Sequence, residues 1–161
     1  MSKRLLNFFL ILILILPFPF TSFSQETETY EYERMWPVLG QPWYFNRPHG
    51  LAVDSGGYVY IADTYNHRIQ KLTSDGQFVT KWGSYGSGDG QFDNPTGIAI
   101  DKSGSVYVVE GGNARIQKFK SNGEFITKWG SYGSGDGQFD SPTTLAIDSS
   151  GNIYIADTYN H

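Results

Sequence analysis

From residue 50 onward the hydrophobic positions fall into short runs separated by Gly, Asp, Asn and Ser. "GLAVD" (50–54) is a compact apolar run, and Ser55-Gly56-Gly57 turns the chain after it. "YVYIAD" (58–63) carries the β-branched and aromatic residues that strands favour. "TYN" makes the next turn, and "RIQKL" (68–72) alternates polar and apolar with the period of two of a half-buried strand. "SDGQ" turns again, Asp-Gly being a hairpin signal, and "FVTKW" (78–82) supplies a fourth strand. The Gly-rich stretch "GSYGSGDGQFDN" then crosses to the next run. No helical period appears outside the first 24 residues.

The same four-strand unit recurs every 47 residues. Pro48, Pro95 and Pro142 keep this step, as do Asp54, Asp101 and Asp148, and Tyr60, Tyr107 and Tyr154. "TKWGSYGSGDGQFD" stands letter for letter at 80–93 and at 127–140, and "YIADTYNH" at 60–67 and 154–161. Four antiparallel strands per unit, at a period slightly above 40 residues, predict an all-β fold of propeller blades. The units divide as 48–94, 95–141 and an incomplete 142–161. Before them, "YEYERMW" (30–36) within 25–47 matches an isolated fourth strand, with Trp36 12 residues before Pro48 where Trp82 lies 13 before Pro95. In a closed propeller such a strand completes the last blade and removes the exposed edges.

"NRPHGLAVDSGGYVYIADTYNHRIQKL" and its second copy "DNPTGIAIDKSGSVYVVEGGNARIQKF" resemble the NHL-repeat family. The resemblance rests on Pro-x-Gly, apolar-Ala-apolar-Asp, Gly-x-apolar-Tyr-apolar and Asn-His-Arg-Ile-Gln-Lys recurring in register. It implies a β-propeller, most often six-bladed, used as a binding platform. Ala114 replaces the His67 equivalent in the second copy, so that histidine is not expected to be a site in every blade. Six units of this length need roughly 282 residues against the 161 present, so the chain is expected to be an incomplete arc, the N-terminal part of a longer protein.

The first 24 residues change the picture of location. Lys3 and Arg4 precede an unbroken apolar run from Phe8 to Leu16, and Ser22 and Ser24 sit at the −3 and −1 places of a cut before Gln25. This is the layout of a secretory signal peptide. A spanning helix needs about 20 apolar residues, and Pro17 and Pro19 interrupt this run. A secreted, periplasmic or cell-surface protein is therefore expected, with no membrane span after cleavage. Without Lys3 and Arg4, 10 Lys+Arg face 16 Asp+Glu, a net charge of −6. A dispersed acidic surface is unsuited to nucleic acid. The absence of cysteine excludes disulfides, thiolate metal sites and a cysteine nucleophile within this chain.

In a four-stranded blade, the loop entering the first strand and the turn joining the second to the third open on one face. That face, around the channel mouth, gathers His49, Tyr65, Asn66, His67, Tyr85, Asp89, Thr96, Tyr132, Asp136 and Thr143. Aromatic and short polar groups around a concavity suit a protein, peptide or glycan ligand. "RPHGLAVD" also resembles the zinc-ligand segment of the peptide-amidating lyases, which implies a metal-dependent lyase-like or lactonase-like propeller as the alternative. Zinc needs three or four converging ligands, and the positions in register with His49 are Thr96 and Thr143, so further histidines would have to come from other blades. A structural cell-surface array is a third reading. "GSGDGQFD" lacks the Lys-Ser/Thr and helix of a phosphate loop and the alternating acids of a calcium loop. Its Phe92 is expected to fill the gap between blades. Asp63 with Arg68, and Glu110 with Arg115, are expected to close the second turn of each unit, and Trp82, Trp129, Tyr60 and Tyr107 to pack between blades. No Ser, His and acid constellation emerges, so neither a cofactor nor a catalytic set is expected.

Overall fold

A computed structural model describes residues 44–160, in which ten strands form three antiparallel sheets. Blade 1 contains β1 (Leu51–Val53), β2 (Val59–Asp63), β3 (Arg68–Leu72) and β4 (Phe78–Trp82), hydrogen-bonded in that order. Blade 2 repeats the order with β5 (Pro95–Ile100), β6 (Val106–Glu110), β7 (Arg115–Phe119) and β8 (Phe125–Trp129). In the third unit β9 (Pro142–Ile147) pairs with β10 (Ile153–Asp157). The expected signal segment and the strand at 30–36 lie outside the described residues.

Three boundaries differ from the pattern-based reading. β1 is shorter than the 50–54 run, because Asp54 leaves the ladder and its carboxylate accepts from Gly56 N (2.9 Å) and Tyr58 N (3.0 Å). The second strand starts at Val59 because Tyr58 belongs to that turn. "TYN" is one turn of 3₁₀ helix (Thr64–Asn66), closed by His67 N donating to Thr64 O at 3.1 Å.

The burial pattern follows from the stacking of sheets. β2 and β6 are buried at every residue because a neighbouring element covers each face, whereas the outermost strands β4 and β8 alternate or lie open. One core cluster joins Ala52, Tyr60, Ala62, Ile69 and Trp82 of blade 1 to Ile98, Ile100, Val106, Val108, Phe119 and Phe125 of blade 2. The next joins Ala99, Tyr107, Val109, Ile116 and Trp129 of blade 2 to Leu145, Ile147, Ile153 and Ile155 of the third unit. Phe92 is fully buried in the first seam, and a Cβ on Gly83 would stand 2.5 Å from its ring, so that glycine makes the space. Tyr60 and Trp82 meet edge-on at 6.4 Å, and Tyr107 and Trp129 at 6.2 Å, the packing role expected for these aromatics.

Inner strands approach closely where glycine stands. A Cβ on Gly50 would lie 2.6 Å from Thr96 O, and one on Gly97 2.8 Å from Thr144 Cα. Both obstacles are backbone and cannot rotate away.

At the end of the blades away from the 3₁₀ turn, an Asp, a Tyr and a Lys recur as a set. Asp101 accepts from Ser103 N, Ser105 N and the Tyr107 hydroxyl, and Lys118 Nζ lies 3.7 Å away above the Tyr107 ring. Burial alone would raise the Asp101 carboxyl; the hydrogen bonds from Ser103, Ser105 and Tyr107 outweigh it and hold the pKa at about 2. Burial and the Asp54 carboxylate push the Tyr60 hydroxyl up in the equivalent set of blade 1. Because the folded pKa of Asp101 lies below the unfolded 3.8, the unfolded chain binds more protons between these values. Its contribution is thus complete above the unfolded value and lost as pH falls through about 2. Urea melts between pH 5 and about pH 2 are expected to show stability falling with acid, and Asp101→Asn to show a shallower fall over that window.

Candidate functional site

The face carrying the turns between second and third strands and the Gly-rich loops is organised by a carboxylate at the end of each second strand. Glu110 is fully buried and accepts from Arg115 Nε (2.7 Å), Gln117 Nε2 (2.8 Å), Asn113 Nδ2 (2.6 Å) and the backbone N of Asp93 (3.0 Å). Asp63 does the same in blade 1, accepting from Arg68 Nε (2.8 Å), Gln70 Nε2 (2.9 Å), Asn66 Nδ2 (2.9 Å) and Asn46 N (2.7 Å). Asp157 takes Asn160 Nδ2 (2.7 Å) and Asp140 N (2.8 Å) in the third unit. The acid–arginine pairs expected to close the turns therefore form, and each is part of a larger hub.

The hub fixes the loops. Arg115 also donates to the carbonyls of Gly88 (3.0 Å) and Gln91 (2.9 Å), and Gln117 Oε1 accepts from Gly90 N (3.0 Å). Asn113 Nδ2 reaches Gly86 O at 2.9 Å, as Asn160 Nδ2 reaches Gly133 O at 2.7 Å. Turn and loop thus form one bonded surface. Backbone bonds from Tyr65 N to Asn46 O and from Tyr159 N to Asp140 O, both 3.1 Å, join the same parts in the outer units.

On this scaffold stands a row of exposed tyrosines. Tyr85 and Tyr132 occupy equivalent places in the two Gly-rich loops and are 69% and 73% exposed. Tyr65 and Tyr159 occupy equivalent places in the turns at 49% and 64%, and Tyr44 lies beside Asn66 and Arg68 at 76%. Arg47 sits over the Tyr65 ring at 4.8 Å and donates to its hydroxyl at 3.1 Å. His67 adopts a left-handed backbone (φ 49°), meets the Tyr85 ring edge-on at 4.9 Å, and accepts from Asn94 N at Nδ1 (3.4 Å).

The other residues singled out from the sequence divide. Asn66 is consumed by the hub. Asp89 pairs with Lys128 of β8 at 2.8 Å, while Asp136 is exposed. His49 is exposed at the entry to β1, with its backbone N bonded to Ala62 O at 3.1 Å. Thr96 Oγ1 lies 3.5 Å from Pro142 O, and Thr143 Oγ1 lies 3.0 Å from Thr158 Oγ1, so both hydroxyls bond within the fold. Among the described residues no group of three or more His, Cys, Asp or Glu is placed to hold a metal ion. Sequence reasoning missed Tyr159 and Tyr44. The first was recoverable as the counterpart of Tyr65 two periods on; the second has Gln91 and Gln138 in register and left no repeat signal.

These strands, their order and the bonded turn-and-loop face define blades of the β-propeller type. Virginiamycin B lyase from Staphylococcus aureus, as a catalytically inactive variant with quinupristin, superposes at a TM-score of 0.58 with 18% identity, over 74% of this chain and 38% of that one. A gluconolactonase from Xanthomonas campestris superposes at 0.51 with 18% identity, over 69% and 35%. Identities this low show the fold alone. The NHL repeat family matches residues 45–72, 92–119 and 139–161. The RING finger protein nhl-1 of Caenorhabditis elegans is 46% identical over 46 residues, and Protein brain tumor of Drosophila melanogaster 40% over 47. Each stretch is 29% of this chain and only 5% and 4% of those relatives. The chain is an NHL-repeat protein.

Removing the charge of one hub tests its role. Glu110→Gln leaves the Arg115 cation buried against carbonyls alone, and a loss of about 3 kcal/mol is expected, read from urea unfolding. Asp63→Asn is expected to cost less, because Arg68 is 19% exposed against 7% for Arg115.

Proposed function

We propose that this NHL-repeat chain is an exported, non-catalytic binding module whose turn-and-loop face takes a protein, peptide or glycan. The observation that carries the reading is the row of tyrosines held exposed on a rigid, hydrogen-bonded scaffold. Tyrosine offers a large apolar face with a polar tip at low entropic cost, and it recurs at binding surfaces for that reason. Five such rings left in water by a fold that buries Tyr60 and Tyr107 are better suited to recognition than to packing. His67 and Arg47 beside them add a polar edge and a cation. Export is supported by the signal-like pattern of residues 1–24.

Panels of peptides and glycans screened against the chain are expected to yield ligands whose affinity drops about tenfold for Tyr85→Ala and for Tyr132→Ala. Both side chains are exposed, so unfolding midpoints are expected to stay unchanged. Ligands insensitive to both changes, or a hydrolase or lyase activity abolished by His49→Ala, would overturn the reading. N-terminal sequencing of protein recovered outside the cytoplasm is expected to begin at Gln25; recovery with residues 1–24 intact, inside the cell, would remove export from it.

A further inference from the structure

Both Gly-rich loops are held in the same way. Phe92 N donates to Ser84 O (2.8 Å) and Gly86 N to Phe92 O (3.1 Å), which sets Tyr85 in a parallel bridge with Phe92. Around the bridge of Tyr132 with Phe139, Phe139 N donates to Ser131 O and Gly133 N to Phe139 O at the same lengths. Phe92 anchors its loop in the seam between blades 1 and 2, and Tyr85 is left outside. An aspartate follows each phenylalanine, Asp93 in one loop and Asp140 in the other. A tyrosine ring and a carboxylate therefore recur as a set one repeat apart. The first set stands between two complete blades, and its exposure is a property of the face itself.

At the opposite end of the blades the same kind of set is filled by the chain itself. Lys118 lies over the Tyr107 ring at 4.8 Å with the Asp101 carboxylate 3.7 Å away, and Lys71 over the Tyr58 ring at 4.2 Å with Asp54 at 4.0 Å. On the turn-and-loop face three acids are likewise matched, Asp63 by Arg68, Glu110 by Arg115 and Asp89 by Lys128. Asp93 and Asp140 pair with no lysine or arginine among the described residues. Beside Asp93 lies His67, Nδ1 to Oδ1 3.9 Å, which also touches the Tyr85 ring and still leaves Tyr85 69% exposed. Asp140 accepts from Ser141 Oγ at 3.4 Å. The loop sets have the ring and the carboxylate, and the chain supplies no lysine or arginine to them.

We propose that these two sets are subsites for an arginine-bearing peptide, one arginine held at Tyr85 and Asp93 and another at Tyr132 and Asp140. The inference rests on the binding role proposed above and narrows its ligand to one class. A guanidinium over a tyrosine face is attracted by the ring quadrupole, and a neighbouring carboxylate adds a charge-assisted hydrogen bond. Arginine suits the place better than lysine, because its plane stacks on a ring while its N–H edge donates. Arg47 combines the two on Tyr65, lying over the ring at 4.8 Å and donating to the hydroxyl at 3.1 Å. The wider charge balance agrees: from residue 25 onward 16 Asp+Glu face 10 Lys+Arg, a field that draws a basic partner.

Fluorescence anisotropy of the full chain with labelled peptides tests this. One series carries two arginines joined by Gly-Ser spacers of increasing length; a matched series carries citrulline, which keeps the shape and loses the charge. The arginine series is expected to bind about tenfold tighter than the citrulline series and to weaken with salt. Tyr85→Leu and Tyr132→Leu keep apolar area and lose the ring, and each is expected to weaken the arginine peptides about fivefold. Tyr85→Phe is expected to leave them unchanged. Asp93→Asn is expected to cost about fivefold and to flatten the salt dependence, with urea midpoints of all four variants as in the wild type. Equal, Tyr85-dependent affinity for the two series would overturn the inference and leave the binding role standing. So would glycans bound in a Tyr85-dependent way by a chain that ignores every arginine peptide. Arginine peptides indifferent to Tyr85→Leu and to Asp93→Asn would overturn it too, assigning the attraction to dispersed acidity. A chain that takes neither peptide nor glycan overturns the inference together with the binding role.

Discussion

Everything on the turn-and-loop face depends on a carboxylate at the end of each second strand, fully buried in both complete blades. Removing a carboxylate and a guanidinium from water costs several kcal/mol for each ion, and an isolated pair would not recover it. Glu110 recovers it by saturation: four donors from three side chains and the backbone converge on its two oxygens, and the arginine it holds spends its remaining N–H groups on loop carbonyls. A charged hub of this kind is directional where apolar packing is not. It allows a loop rich in glycine, which carries a large conformational entropy cost on ordering, to be held in one shape.

The seams between blades depend on a different constraint, the close approach of inner strands. Wherever blades stack around an axis, their first strands crowd, and Gly50 and Gly97 resolve the crowding by lacking a Cβ. Farther from the axis there is room, and the same seams fill with Phe92, Phe119 and Trp82, whose rings lie 5.6 Å and 5.9 Å apart. The gradient from glycine at the axis to aromatics outside is what turns flat four-stranded sheets into wedges.

The strands, their order and the acid–arginine pairs were legible because each leaves a signal in side-chain identity at a fixed period. The reach of each carboxylate back to a backbone N–H 17 residues earlier was not, since a backbone donor has no letter of its own. For the same reason Asn66 read as a surface ligand although its amide is turned into the hub. Asp89 read as free because its partner, Lys128, comes from the following blade and its pairing depends on three-dimensional placement. Tyr44 left no trace, being a tyrosine where the other units have glutamine.

The departures from strict repetition carry the individuality of the face. The hub's Asn, Arg and Gln are kept in both complete blades and its acid changes only from Asp63 to Glu110, but Thr64-Tyr65 becomes Gly111-Gly112 and His67 becomes Ala114 in the second. Ala114 keeps the left-handed backbone at φ 50°, so that feature of the turn survives while its outward groups are deleted. Tyr132 accordingly lacks the histidine edge that Tyr85 has, and the turn of its own blade lacks a tyrosine. A scaffold that repeats while its rim does not presents unequal positions around one mouth. A ligand bridging Tyr85 and Tyr132 would meet a ring backed by imidazole at one and a bare ring at the other. Under the binding role proposed above, discrimination between ligand ends would reside in blade 1, with the second blade contributing surface without a matching polar edge.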